Sequence, residues 1–209
     1  MRDRAAEDSE LPPLRKAAIL VSVILATTLY STTLLVVSTI LPQMQGSFSA
    51  TADEIAWSMT FNILATAIIT PMSGWLAARF GTRKVMMISM TGFTAATLLC
   101  AVAESLEALI LWRIAQGACG APTTPLSQSI LMESFPKRQH ALVLGLYGFG
   151  VVIGPVIGPT LGGLMAELYS WRWAFYILVP VGVVSIIGLR LCLLPDTLRA
   201  SARLDWTGF

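Results

Sequence analysis

Arg113 is the residue whose type and place are hardest to reconcile with idle packing. It interrupts an apolar run from about Ala108 to Met132. A guanidinium there is a permanent cation with a fork of donors and few partners in reach. Wound as a helix, the run places Arg113, Gln116, Gly117, Gly120, Thr124, Ser127 and Gln128 within about a third of the circumference, opposite Ile, Leu, Ala and Val. A polar stripe aligned with an intramembrane charge reads as the wall of a cavity or substrate path. The competing reading is that Arg113 snorkels to the nearby end of the run. A weaker stripe, Thr27, Thr28, Ser31, Thr32, Ser38 and Thr39, shares one broad face of another apolar run. Such hydroxyls either line a cavity or bond their own backbone. Asn62 is a lone amide in a third run, suited to a ligand contact or a bond between helices.

The fifth apolar run carries Gly150, Gly154, Gly158 and Gly162 every four residues, with Gly163 beside them and Pro155 and Pro159 among them. Glycines four apart make a groove in which another backbone can lie close. Each proline removes a backbone donor and obstructs the carbonyl four residues earlier. The combination predicts a bent or bendable helix that packs tightly at the groove; a functional reading adds a hinge at a moving interface. Enzyme chemistry is poorly supported. The one histidine is His140, and Cys100, Cys119 and Cys192 are widely spaced in apolar stretches. No metal cluster and no nucleophile–base–acid set is visible.

These residues need apolar elements to carry them. The chain has 209 residues, 55% hydrophobic and 12% charged, with a mean hydropathy of +0.71. Soluble domains carry roughly 25% charged residues. A net charge of +2 and the lack of a long basic run exclude a nucleic-acid partner. Crossing a bilayer as a helix takes about 20 apolar residues. Charges divide the chain into six runs of about that length: Ala17–Leu41, between Glu54 and Arg79, between Lys84 and Glu104, about Ala108–Met132, Ala141–Ala166 and about Trp173–Leu194. The sequence therefore predicts a tail over 1–16, an all-α membrane unit over 17–194, and a linker with the start of a seventh helix over 195–209. The run Leu204–Phe209 reads as the opening of a new segment, so the chain is expected to be a fragment.

Lysine and arginine alternate between the loops, which orients the spans. Arg2, Arg4, Arg15 and Lys16 precede the first; Arg79, Arg83 and Lys84 follow the second; Lys137 and Arg138 follow the fourth; Arg190, Arg199 and Arg203 follow or end the sixth. The intervening loops hold only Arg172. Both termini are expected in the cytoplasm. Trp57, Trp75, Trp112, Trp171, Trp173 and Trp206 all lie near predicted span ends, where interfacial belts favour tryptophan.

Several motifs resemble a known family. Gly74-Trp-Leu-Ala-Ala-Arg-Phe-Gly-Thr-Arg-Lys84 resembles the loop signature between the second and third helices of the major facilitator superfamily. Arg113-Ile-Ala-Gln-Gly117 resembles its fourth-helix motif. Gly154, Gly158, Pro159, Gly162 and Gly163 meet the pattern of its fifth-helix antiporter motif. Ala121–Gln128, Trp171–Phe175 and Leu204–Gly208 are similar to the EmrB/QacA-type drug:proton antiporters of 14 helices.

The resemblance implies a six-helix half built from two inverted three-helix repeats, facing a second half with substrate between them. It implies multidrug efflux at the inner membrane, powered by the proton gradient with no bound cofactor. The implied partners are the lipid bilayer, a small and mostly apolar substrate, the missing C-terminal half, and a periplasmic adaptor with an outer-membrane channel. It also implies that helices of the second half cross the glycine row. Arg113, Gln116, Thr124, Ser127, Gln128, Thr28, Ser31, Thr32 and Asn62 are the candidate cavity lining. Gly74, Arg79, Gly81, Arg83, Gly154, Pro155, Gly158, Pro159, Gly162 and Gly163 are the candidate conformational residues.

Two departures stand out. Ala78 replaces the acidic residue of the loop signature, and Thr33 replaces an aspartate common in the first helix. No Asp or Glu lies within any of the six runs. A proton carrier would have to be a span-end carboxylate such as Glu104, Glu107 or Glu167, or belong to the second half. Competing readings are transport of a specific anionic metabolite, which the unmatched Arg113 favours, and a non-transporting scaffold or sensor. The topology is testable by single-cysteine labelling with an impermeant reagent in a cysteine-free background. A cysteine at Ser49 should label in intact cells and one at Thr82 should not; the opposite pattern refutes the orientation.

Overall fold

A computed structural model describes residues 12–193. Expectations for Arg2, Arg4, Arg199, Arg203, Trp206, the linker and the start of a seventh helix lie outside the described residues. Eight helices follow in order: α1 (Pro13–Phe48), α2 (Ala52–Phe80), α3 (Thr82–Ala101), α4 (Leu106–Gly120), α5 (Thr123–Ser134), α6 (His140–Leu168), α7 (Trp171–Tyr176) and α8 (Leu178–Cys192). A 3-10 turn, Lys137–Gln139, leads into α6. Five stretches are long and apolar enough to cross a membrane: α1, α2, α3, Lys137–Leu168 and Trp171–Cys192.

The fourth predicted span is present but broken into α4 and α5. Pro122 and Pro125 lack the N–H groups that would reach the carbonyls of Ala118 and Ala121, and the helix breaks at Ala121 and Pro122. The sixth span begins two residues earlier than predicted, at Trp171, and turns at Ile177. Pro180 there leaves the carbonyl of Tyr176 without its helical donor. The first helix is longer than expected at both ends. It starts at Pro13 inside the predicted tail, and it runs through Pro42 to Phe48 where a loop was predicted. α6 likewise continues through Pro155 and Pro159.

Two features fix the ends of α2. Thr51 and Glu54 form a capping box, the Thr51 N–H donating to Glu54 Oε2 at 2.8 Å. At the other end Gly81, at φ 96°, ends α2 and starts α3. A side chain would strain that backbone, which explains the second glycine of the loop signature.

α1 is the axis of the unit, packing against α2, α5, α6, α7 and α8. It crosses two apolar clusters. One centres on Val23, Met86, Phe93, Leu131 and Leu189, the other on Ile40, Met44, Ile55, Leu109 and Phe175. Its most extensive partner is α6. A Cβ on Gly150 would strike Ile24, one on Gly154 the carbonyl of Thr28 at 2.6 Å, one on Gly158 the Thr32 methyl at 2.9 Å, and one on Gly162 Val36 at 2.9 Å. The pairing ascends in both helices at a four-residue step, so α1 and α6 run parallel. This is the direction that an even separation of spans, the first and the fifth, requires.

The glycine row is thus filled by the first helix of the same unit. The expectation that helices of a second half cross it is overturned, because no room remains beside Thr28, Thr32 and Val36. The same device recurs on α8, where a Cβ on Gly182 would meet Thr94 of α3 at 2.5 Å.

Substitutions along the row should therefore act on folding. Gly154→Ala forces a methyl onto a backbone carbonyl, and Gly158→Leu onto Thr32 and Val36. Each should lower stability by about 1–3 kcal/mol, as overpacking does. Gly163→Ala meets only an ordinary contact with Thr39 at 3.4 Å, and Gly145→Ala meets nothing within 4 Å. Both should be neutral or stabilising. Melting temperatures of the purified variants in one detergent check the order; equal effects at 154 and 145 would refute the seam.

Candidate functional site

The fourth span carries the polar stripe, and the fold divides it into three environments. At the α4 level, Arg113 is 1% exposed and Gln116 fully buried. Snorkelling is excluded by that burial. The Arg113 Nη1 group donates to Gln116 Oε1, and Gln116 Nε2 donates onward to Thr97 Oγ1 at 2.7 Å. The Thr97 hydroxyl donates its single proton to the carbonyl of Phe93 at 2.8 Å. The chain of donors therefore has one direction, from guanidinium to amide to hydroxyl to backbone. No carboxylate joins it: the acidic residues nearest in sequence, Glu104 and Glu107, are exposed outside the cluster.

α2 closes this cluster from the other side. Asn62 Nδ2 donates to the carbonyl of Arg113 at 2.7 Å, and Thr66 donates to that of Gly117 at 3.2 Å. Tyr30 of α1 donates in turn to Thr66 at 3.4 Å. Asn62 and Thr66 stand one turn apart and read two carbonyls one turn apart. The helices must be close for this, and a Cβ on Gly117 would lie 3.1 Å from the carbonyl carbon of Asn62. Within this cluster two buried polar atoms keep no partner, Arg113 Nε and Asn62 Oδ1. Asn62 is thus a bond between helices, 2% exposed.

At the α5 level, Ser127 is buried against α1. Thr27 donates to the carbonyl of Val23 at 3.1 Å, so its oxygen is the acceptor for Ser127 at 2.9 Å and for Tyr147 of α6 at 3.3 Å. Three spans meet at that one hydroxyl. Thr28 donates to the carbonyl of Gly150 at 2.8 Å, while Ser31, Thr32 and Thr33 bond their own helix. Most hydroxyls of the α1 stripe therefore satisfy backbone, the reading in which they are neighbours of the packing.

What remains open is narrower than the sequence stripe. Gln128 is exposed and Thr124, Thr28 and Ser31 are half-buried, whereas Thr32 is buried on the glycine seam. Among the conformational candidates, Arg79 is exposed at the end of α2 and Gly81 makes the turn, while a Cβ on Gly74 would meet no atom within 4 Å. Arg83 donates to the carbonyl of Arg190 at 2.9 Å and Arg15 to that of Cys192 at 3.1 Å, so two arginines cap the C-terminus of α8. Pro155 and Pro159 are half-buried beside the seam.

At the other end of the unit, Trp171 is 2% exposed and donates to Ser47 at 2.9 Å. Arg172 lies 4.4 Å over its ring and donates to the carbonyl of Ala103 at 2.8 Å. Trp171 is a packing anchor, not part of an interfacial belt; Trp57 and Trp173 are each half exposed. The sequence reading missed Thr97, Thr66 and Tyr147. Thr66 was findable, since it follows Asn62 by one turn on the face that also carries Ser58 and Ser73.

Residues 23–205 match the family model of the Major Facilitator Superfamily. The chain is 33% identical over 181 residues to "Multidrug export protein EmrB" of Haemophilus influenzae, covering 85% of this chain and 36% of that protein. It is 35% identical to "Fatty acid resistance protein FarB" of Neisseria gonorrhoeae, covering 84% of this chain and 35% of the relative. The chain thus spans about a third of the length of these relatives. Among solved structures, the proton:xylose symporter XylE superposes with a TM-score of 0.79 at 15% identity, over 90% of this chain and 46% of that one. That likeness concerns the fold.

The buried cluster generates a stability test. Gln116→Leu removes the neutral acceptor of a buried guanidinium and should cost roughly 3 kcal/mol or more, because a buried charged donor is left unsatisfied. Thr97→Val removes only the next link and should cost about 1–2 kcal/mol. Thermal unfolding of both in detergent checks the ranking; a Gln116→Leu variant as stable as wild type would show that Arg113 is solvated some other way.

Proposed function

The chain belongs to the major facilitator superfamily, and on that premise we propose that it is the N-terminal six-span half of a secondary transporter that exports small, mostly apolar compounds. The observation that carries the reading is the 33% identity over 85% of the chain to a multidrug export protein. In this reading a second half faces α1 and the fourth span, and substrate lies between the halves. Ser31, Thr124 and Gln128, with the free side of Thr28, offer the polar contacts of this wall. The apolar remainder suits compounds that enter from lipid. Alternating access exposes the wall to each side of the inner membrane in turn, with both ends of the chain cytoplasmic. A periplasmic adaptor and outer-membrane channel would complete export across a double envelope.

Proton coupling is part of the proposal, and its carboxylate belongs to the second half or to the span ends. Within the described helices the carboxylates, Asp53, Glu54, Glu107, Glu133 and Glu167, are all exposed and stand near the ends of the spans. A second reading, transport of carboxylate-bearing amphiphiles, is favoured by the buried Arg113 without an acidic partner and by the name of the gonococcal relative.

Efflux of a dye panel from cells expressing the full-length protein, with and without an uncoupler, tests the export reading. Uncoupler-sensitive export is expected from the full-length protein and none from residues 1–209 alone. Robust export by 1–209 alone would refute the half-transporter assignment, and no export of any dye by the full-length protein would refute multidrug efflux.

A further inference from the structure

We propose that the open wall of α1 selects substrates by what they can donate: it binds amphiphiles carrying N–H or O–H groups in preference to those carrying only lone pairs. This rests on the export reading above and names its substrate class.

Thr28, Ser31, Leu35, Ser38 and Pro42 recur at steps of three and four residues and so form one stripe along α1. Thr28 and Ser31 are half-buried there, and Leu35, Ser38 and Pro42 are exposed. A hydroxyl has one proton and two lone pairs. On this stripe each proton is already committed to a carbonyl, which can only accept. Thr28 donates to the carbonyl of Gly150 at 2.8 Å, Ser31 to that of Thr27 at 2.9 Å and Ser38 to that of Leu35 at 2.7 Å. What these side chains have left is lone pairs. Pro42 adds a further acceptor, because it has no N–H for the carbonyl of Ser38 one turn earlier. The oxygens along the stripe thus have acceptor capacity and no proton to spare.

The asymmetry has an energetic consequence. An arriving N–H or O–H adds a bond to these oxygens and breaks none. An arriving carboxylate, ether or carbonyl must first take a proton from a backbone carbonyl, so one bond is exchanged for another with little gain. A bond to a charged donor corresponds to roughly a tenfold gain in affinity, and one to a neutral donor to about threefold. Leu35 offers apolar surface on the same stripe for the rest of the molecule. The fourth span does not share the bias, since the exposed amide of Gln128 donates and accepts alike.

The test uses four fluorescent probes sharing one pyrenyl tail and ending in a primary ammonium, a trimethylammonium, a hydroxyl or a methoxy group. Within each pair the charge is the same at neutral pH and only the donor differs. Binding to the purified full-length protein is read by pyrene fluorescence, and export is read with the same protein in vesicles. Comparing variants cancels differences in how the probes partition into detergent or lipid.

Wild type should bind the primary ammonium about tenfold more tightly than the trimethylammonium, and the hydroxyl about threefold more tightly than the methoxy probe. Ser31→Ala combined with Ser38→Ala should cut the first ratio by about threefold or more and bring the second close to one. What remains of the first ratio rests on Thr28 and the Ser38 carbonyl. Alanine is a good helix former, so the double variant should keep its fold. Leu35→Ala on the same stripe should weaken all four probes and leave both ratios unchanged. A wild type that binds the members of each pair equally, or ratios that survive the double substitution, overturns the assignment. Because the ratios come from binding, failure to export any probe refutes the export reading alone, and binding of none of the four refutes both.

Discussion

In a hydrocarbon slab a leucine gains nothing by leaving lipid for another leucine. Helices there are held by close approach and by polar groups with nowhere else to go. That constraint organises this unit. Where two backbones must come close, one side is reduced to hydrogen atoms, as at Gly150, Gly154, Gly158 and Gly162 against α1. Where a polar side chain is buried, it reaches a neighbouring helix or returns to its own backbone. The long apolar side chains are left to face outward, and α2 and α6 expose Ile63, Leu64, Phe149 and Val156 in this way.

The two kinds of contact do different work. The glycine seam is continuous along about 18 Å of helix, at 1.5 Å per residue over the twelve residues from Gly150 to Gly162, so it resists sliding and tilting alike. It ties the first span to the fifth. The hydroxyl junction at Thr27 then ties both to the fourth through Ser127 and Tyr147. The arginine caps tie the sixth span to the first helix and to the α2–α3 turn. Each tie joins elements distant in sequence. The result is a unit whose parts are locked to one another, which suits a proposed mechanism in which such halves move whole.

Arg113 is the exception to economy. A neutral residue would pack there at lower cost, since removing a charge from water is expensive even with good hydrogen bonds. The structure surrounds it with three helices, spends Gln116 and Thr97 on it, and brings Asn62 to its own carbonyl. The turn defined by Gly81, and the breaks at Pro122 and Ile177, keep these helices in place without adding further charge.

The apolar spans were legible in the sequence, because hydropathy is a sum over residues and needs no partner; their ends were not, since α1 runs on through Pro42 to Phe48. The broken fourth span was not read from its prolines, although Pro122 and Pro125 were in plain view; Pro155 and Pro159 are tolerated in α6, so proline alone does not decide. The polar stripe was also legible as a stripe, since helical spacing places Arg113, Gln116 and Ser127 on one side. What each of them touches was not. Periodicity fixes a direction around one helix and carries no information about which helix stands there. Only packing turned Thr32 toward glycine, Ser127 toward Thr27 and Arg113 toward Gln116, leaving Gln128 open. The glycine row shows the same limit most plainly: its spacing announced a groove, and only the tertiary arrangement decided that α1, already present in the same unit, fills it.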